Sequence, residues 1–191
     1  MRKVIMSMSV SLDGFMEGPD REIDWHRVDA ELHQHFNDEL AGAGAFINGR
    51  VTHELMAGFW PTADEDPEAD PRMAEFAGIW RGMPKIVYSR TLDPAAHTAW
   101  HTTVKREIDP DEIRALLAEP GGDLVVGGAE VSGAFRDLGL IDEYRIYVHP
   151  VLIGRGTPCF ATADAMDVNA LTLVESRTFG NGVVLLRYST R

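Results

Sequence analysis

Three short segments of the chain carry the residue types that hold phosphate. Leu124-Val125-Val126 is an apolar, β-branched run that stops at Gly127-Gly128 and passes straight into Ala129-Glu130-Val131, after which Ser132, Ala134, Phe135 and Leu138 continue at helical spacing. A glycine pair at such a junction lets the backbone approach a ligand, and the free amides of the helix start then favour an anion, most often a phosphate. Gly49-Arg50-Val51-Thr52 stands at a second strand-to-helix junction, and Ser89-Arg90 ends a third strand. Taken singly, each has an ordinary reading, since glycines form turns and arginines decorate surfaces. Their shared position at strand ends points instead to an anion site, most often one for phosphate.

The elements that must position these segments alternate along the chain. Lys3 to Leu12 reads as a first strand ended by Asp13-Gly14, and Leu32, Phe36 and Leu40 mark an amphipathic helix closed by Gly42 and Gly44. A second strand over Ala45-Phe46-Ile47-Asn48 leads to a short helix through His53, Leu55 and Met56. Pro71 to Trp80 reads as a helix with proline at its start, and Lys85 to Tyr88 as the third strand. A fourth strand is expected over Ala99 to Thr103, followed by a helix capped by Asp109 and carrying Ile113, Leu116 and Leu117. After the diglycine unit, Glu143 to His149 alternates as a strand. Leu171 to Phe179 pairs with Val183 to Tyr188 across Gly180-Asn181-Gly182, a tight-turn signal. Alternating βα units with a terminal hairpin imply an α/β fold: a mostly parallel central sheet, helices on both faces and an antiparallel edge. Ligands of such sheets bind beyond the carboxyl ends of the strands, where all three segments lie.

The chain has 191 residues, 45% of them hydrophobic, and is expected to form one domain over 1–191. Its net charge of -12 argues against a nucleic-acid or anionic-membrane partner. Much of that charge lies in Asp64, Glu65, Asp66, Glu68 and Asp70, which read as a solvated acidic loop and lack the ligand order of a calcium site; no metal is expected. Cys159 is the single cysteine and reads as a buried spectator. No signal sequence and no run long enough for a membrane helix is present, so a cytoplasmic location is expected.

These pieces resemble the dihydrofolate reductase-like superfamily, in particular the group related to the reductase (C-terminal) domain of the bacterial bifunctional riboflavin biosynthesis deaminase/reductase. The resemblance covers essentially the whole chain, through Ser11-Leu12-Asp13-Gly14, Gly49-Arg50-Val51-Thr52-His53-Glu54, Ser89-Arg90, Gly127-Gly128 and Val148-His149-Pro150-Val151-Leu152-Ile153-Gly154-Arg155-Gly156. It implies that fold's three-layer sandwich and an NADPH cofactor. Gly49, Arg50, Thr52, Gly127, Gly128, Ala129, Glu130 and Val131 would surround the pyrophosphate, and Ser89 and Arg90, with Arg50 nearby, the 2′-phosphate. Met8, Ser9 and Val10 would lie against the nicotinamide carboxamide, with Gly154, Arg155 and Gly156 close to it. In the resembling reductases the Gly127–Gly128 bond is often cis. Glu130 is a departure, because dihydrofolate reductases often carry arginine there.

The catalytic end is less determined. Dihydrofolate reductases anchor the pterin with a carboxylate on the first helix, and here Asp29 and Glu31 are the candidates, although both suit a helix start. Asp13 either fixes its turn or reaches the substrate. Trp25, Phe59 and Trp60 are candidates for a wall against a flat heterocycle or for core packing, and His26 with His33 share helical spacing without a third metal ligand. Two functions follow: a reductase passing hydride from NADPH to a pteridine- or aminopyrimidine-like heterocycle, or a module of the same fold that binds nucleotide without turnover. The apolar late strands and the resemblance imply a homodimer.

Overall fold

The computed structural model describes residues 2–160 and 170–190. Its main sheet has eight strands: β1 (Val4–Ser11), β3 (Ala45–Gly49), β4 (Lys85–Tyr88), β5 (Thr102–Lys105), β6 (Leu124–Val126), β7 (Glu143–His149), β9 (Thr172–Thr178) and β10 (Val184–Ser189). They run in the order β5-β4-β3-β6-β1-β7-β10-β9. The pairs from β5 to β7 are parallel, and β10 is antiparallel to both β7 and β9, so the expected antiparallel edge is the terminal hairpin. Gly182, at φ +86°, and the Asn181 side chain, which accepts from the Val183 amide at 3.0 Å, close that hairpin. Two short strands missed in the sequence, β2 (Phe15–Glu17) and β8 (Thr157–Pro158), pair with each other apart from the main sheet.

Among the described residues, five α-helices cover the sheet: α1 (Ala30–Ala41), α2 (Arg50–Ala57), α3 (Pro71–Gly82), α4 (Pro110–Ala118) and α5 (Ala129–Asp137). Alternation along the strands divides the core. Leu124, Val126, Ala45 and Ile47 face Ile113 of α4 and Val131 and Phe135 of α5, whereas Val125 and Phe46 face Phe76 and Trp80 of α3 on the other side. Leu32 of α1 packs with Tyr147, Leu185 and Phe179. This is the three-layer sandwich of the dihydrofolate reductase-like fold.

The strand expected over Ala99–Thr103 is displaced. Ala99–His101 is a 3₁₀ turn, with Trp100 and His101 at φ +50° and +58°, and pairing with β4 begins only at Thr102. The cause is Lys85. Fully buried at the start of β4, its ammonium donates to the carbonyls of Trp80, Met83 (2.7 Å) and Trp100 (3.0 Å) and lies 4.1 Å from the centre of the Trp80 ring. It ties the end of α3, the start of β4 and the 3₁₀ turn to one point. Burial pulls its pKa down to about 8, which still leaves it charged at neutral pH. Lys85→Met should therefore cost about 2–3 kcal/mol, because an apolar tip leaves buried carbonyls without donors. Urea denaturation at pH 7 checks this; an unchanged midpoint would remove Lys85 from the joint.

Candidate functional site

The carboxyl ends of β3, β4 and β6 open into one cleft of about 1010 Å³. The chain leaves β3 toward β4 and leaves β6 toward β7, on opposite sides, so the helix starts that follow these two neighbouring strands frame a crevice between them. Gly49, Arg50, Thr52, Ser89, Arg90, Gly128, Ala129, Glu130 and Val131 all line it.

The two framing helices begin differently from the rest. Asp29, Asp70 and Asp109 cap α1, α3 and α4 by accepting from backbone amides of their first turns. α2 and α5 instead have glycine, Gly49 and Gly128, at the cap position, with no side-chain acceptor. In α5 the Ser132 amide is bonded to the Gly128 carbonyl at 3.0 Å, which leaves the amides of Ala129, Glu130 and Val131 ahead of the intrahelical ladder. Gly128 has φ +87°, and a Cβ built on it would stand 2.8 Å from Thr52 Oγ1 on α2. Gly127 serves another purpose: its amide donates to the Ile47 carbonyl at 3.0 Å and so extends the sheet. The Gly128 amide points at Met8 Sδ, 3.2 Å away, which brings the side chain of β1 against the diglycine. No peptide bond among the described residues is cis, so the bond between the two glycines is trans.

Side chains of both signs line the cleft around these amides, arginines at the strand ends among them. Arg50 pairs with Glu54 at 2.7 Å one turn on, an exposed ion pair that holds little energy. Arg90 stands exposed after β4. Ser89 is nearly buried and its hydroxyl is used locally, accepting from the amides of Thr91 (3.2 Å) and Leu92 (3.1 Å) to shape the turn. Arg106, absent from the sequence reading, donates to the Ser89 carbonyl at 2.8 Å and lines the same cleft. Its signal is the basic pair Lys105-Arg106 at a strand end, hidden because β5 runs to Lys105, beyond the pattern at Ala99–Thr103. The far wall comes from β2, β8 and the turn before α1, through Met16, Glu17, Arg21, Thr157 and Pro158.

The remaining candidates lie outside the cleft lining. Val10 is buried in the sheet. Asp13 accepts from the amides of Gly154 (2.7 Å) and Ile153 (3.3 Å), fixing the loop that holds Gly154 and Arg155; its bond with the Ser11 side chain, then those two amides, keeps its pKa below the usual carboxylate value. Asp29 is the cap of α1. Glu31 clamps the terminal hairpin, accepting from the Gly180 amide and from Arg177, both at 3.0 Å, and these bonds lower its pKa in that order. Trp60 packs on Phe76 with ring centres 4.3 Å apart. Asp64 pairs with Arg81, and no group of three or more metal-ligating side chains occurs among the described residues. Burial pushes the Cys159 thiol up to about 12, as befits an inert side chain. No helix among the described residues is long and apolar enough to cross a membrane.

His149, fully buried at the end of β7 beside Ser11, carries the largest downward shift among the histidines. Its Nδ1 accepts from the Arg27 amide at 2.9 Å, and its ring stacks on His26 with centres 5.1 Å apart. Burial first, then the neighbouring His26 and Arg27 charges, pushes its pKa down to about 4.

The sequence profile of the RibD C-terminal domain matches residues 2–185. The uncharacterized protein YyaP of Bacillus subtilis (strain 168) is 33% identical over 188 residues, 98% of this chain and 94% of its own length. A solved protein from Shewanella sp. PV-4, named for riboflavin biosynthesis, superposes with a TM-score of 0.73 at 20% identity, covering 98% of both chains. The diaminohydroxyphosphoribosylaminopyrimidine deaminase/5-amino-6-(5-phosphoribosylamino)uracil reductase of Thermotoga maritima superposes with a TM-score of 0.65 at 14% identity. The match covers 98% of this chain and 56% of that one.

The His149 environment makes a pH prediction. An unfolded chain protonates this histidine near pH 6.5 and the folded chain only near 4, so between those values the unfolded state binds more protons and stability falls as the pH drops. The full shift corresponds to about 3 kcal/mol. His149→Gln, which keeps an acceptor for the Arg27 amide, should lose most of that sensitivity. Denaturant melts at pH 7.5 and 4.5 measure it, and equal losses of stability in wild type and variant would assign the acid limb to other groups.

Proposed function

The chain belongs to the RibD C-terminal domain family, and from that premise we propose that it is an NADPH-dependent reductase passing hydride to a flat heterocycle of pteridine or aminopyrimidine type. The observation that carries the proposal is the cleft where two helices without side-chain caps and the arginines of two strand ends converge. Such a site fits a ligand with two separate phosphate groups. The Ala129–Val131 amides, with Arg50 and Thr52, would hold the pyrophosphate, through helix-start amides and charge-assisted bonds. Arg90, with Arg106 fixed beside it on the Ser89 carbonyl, would hold the 2′-phosphate. Met8, already in contact with Gly128, would set the nicotinamide end against β1, with Val10, Gly154 and Arg155 further along. When bound, NADPH supplies the hydride from its nicotinamide ring. The protein's work is to orient that ring and exclude water around it. The substrate class follows the uracil reductase activity named for the Thermotoga protein.

The direct test is oxidation of NADPH by the purified protein with a panel of dihydropteridines and aminopyrimidines, beside a binding titration. Turnover supports the reductase; tight NADPH binding with no turnover on any member supports the binding module instead. Cofactor choice is tested separately. Removing one charge-assisted contact costs about 1.5–3 kcal/mol, so Arg90→Ala should weaken NADPH about tenfold or more and leave NADH nearly unchanged. Equal losses for the two would place Arg90 away from the 2′-phosphate.

We also propose a symmetric homodimer, supported by exposed Leu171, Leu173 and Val174 along the outer strand β9 and its approach. Light scattering at micromolar concentration should give twice the 21.1 kDa chain mass, and a monomer mass would refute it.

A further inference from the structure

The wall of the cleft opposite the phosphate-binding strand ends carries one arginine, Arg21, and its backbone is strained. Arg21 has φ +67°, in the left-handed region that side chains other than glycine, asparagine and aspartate rarely occupy. Its surroundings hold it there. The Gly18 amide donates to the Glu22 carbonyl at 2.9 Å, the Arg21 amide to the Gly18 carbonyl at 3.0 Å, and the Asp20 amide to the Glu22 carboxylate at 2.8 Å. The Glu22 carbonyl also accepts from the indole of Trp25 at 3.0 Å. That ring packs edge-on against His26 and His149, with centres 4.3 and 5.8 Å away, so the turn is fastened to the end of β7.

Arg21 is exposed and, like Arg90 and Arg106 in the same cleft, stands without an ion pair among the described residues. In a chain with 30 acidic and 18 basic side chains, Arg72, Arg81, Arg145 and Arg187 all stand in ion pairs, whereas Arg21 has no ion-pair partner among the described residues. It shares the cleft with Glu17, Glu107, Asp137 and Glu130, of which Glu130 stands in the first turn of α5 beside the amides expected to meet phosphate. A position that suits glycine or asparagine thus holds a cation, without an ion pair among the described residues, at the lining of the cleft that two helix starts frame. Strain of this kind persists where the surroundings over-determine it and the side chain is used.

We infer that Arg21 is a ligand-binding residue that contacts the dinucleotide pyrophosphate from the wall opposite α2 and α5 and offsets the charge of Glu130. The inference rests on the NADPH reading above. Its test is Arg21→Asn, which removes the charge while keeping a residue that tolerates the left-handed backbone. The full-length wild type and variant are titrated with NADPH and with adenosine 2′-monophosphate, which has the 2′-phosphate and no pyrophosphate, and both proteins are melted without ligand. The variant should bind NADPH about tenfold more weakly or worse, bind adenosine 2′-monophosphate as the wild type does, and melt no lower than the wild type. Arg21→Lys should fall between them. Undiminished NADPH affinity in Arg21→Asn overturns the inference, and so does an equal loss for both ligands, which would mean that the residue only shapes the fold. Wild-type protein that binds no NADPH overturns the cofactor reading beneath it, an outcome that the wild-type arm alone reveals.

Discussion

The close approach of two helix starts governs the carboxyl edge of this sheet. A Cβ on Gly128 would come within 2.8 Å of Thr52 in α2, and one on Gly49 within 3.3 Å of the Val131 side chain in α5. Each helix therefore leans on the first turn of the other across a glycine. That contact brings two partial positive dipole ends to one place, each equivalent to roughly half a charge. A cap side chain at either position would occupy the space and satisfy the amides. α1, α3 and α4, whose starts lie elsewhere, carry aspartates at the same position. Glycine here trades local helix stability for open amides.

The two edges of the sheet handle charge in opposite ways. At the amino edge, Glu143 is buried and accepts from Lys3 (3.0 Å), Arg145 (2.7 Å) and Arg187 (3.0 Å); Arg145 also meets Glu39, and Arg187 meets Glu175. Those cations are neutralised where they stand. At the carboxyl edge, Arg106 is held by a neutral carbonyl and Arg90 has no ion pair among the described residues. The cleft thus keeps arginines without ion pairs beside the acids Glu17, Glu107, Glu130 and Asp137 that also line it, while many of the protein's other acids stand as caps, in the Asp64–Asp70 loop and at the far edge.

Much of this was legible in the sequence because local rules agreed with the fold. The apolar runs of β1, β3, β4 and β6, the aspartate-capped α4 and the Gly-Asn-Gly turn each obey a short-range preference that packing reinforces. What failed to show depended on contacts distant in sequence. β2 and β8 are too short to carry a period and exist only because they pair across some 140 positions. The start of β5 is set by a lysine reaching back to Trp80 and forward to Trp100, and nothing in residues 99–103 announces it. Ser89 illustrates the limit at the site. Its place at a strand end was readable, but its hydroxyl turns back to two amides of its own turn, a detail fixed by geometry alone.

The candidate acids Asp13, Asp29 and Glu31 bear on how a reduction here could be completed. Asp29 is engaged with the Leu32 amide, Glu31 with Gly180 and Arg177, and Asp13 with the loop at Ile153 and Gly154. Hydrogen bonds to the ionised forms of Asp13 and Glu31 hold both below the usual carboxylate range. A carboxylate stabilised in this way is a poor proton donor at neutral pH, and moving it toward a substrate would release a loop or the terminal hairpin. None of these three acids is therefore placed to supply the proton that would follow a hydride in this cleft. The chain's own contribution would then lie in binding and orientation, which is where its unusual features, uncapped helices and unneutralised arginines, are concentrated.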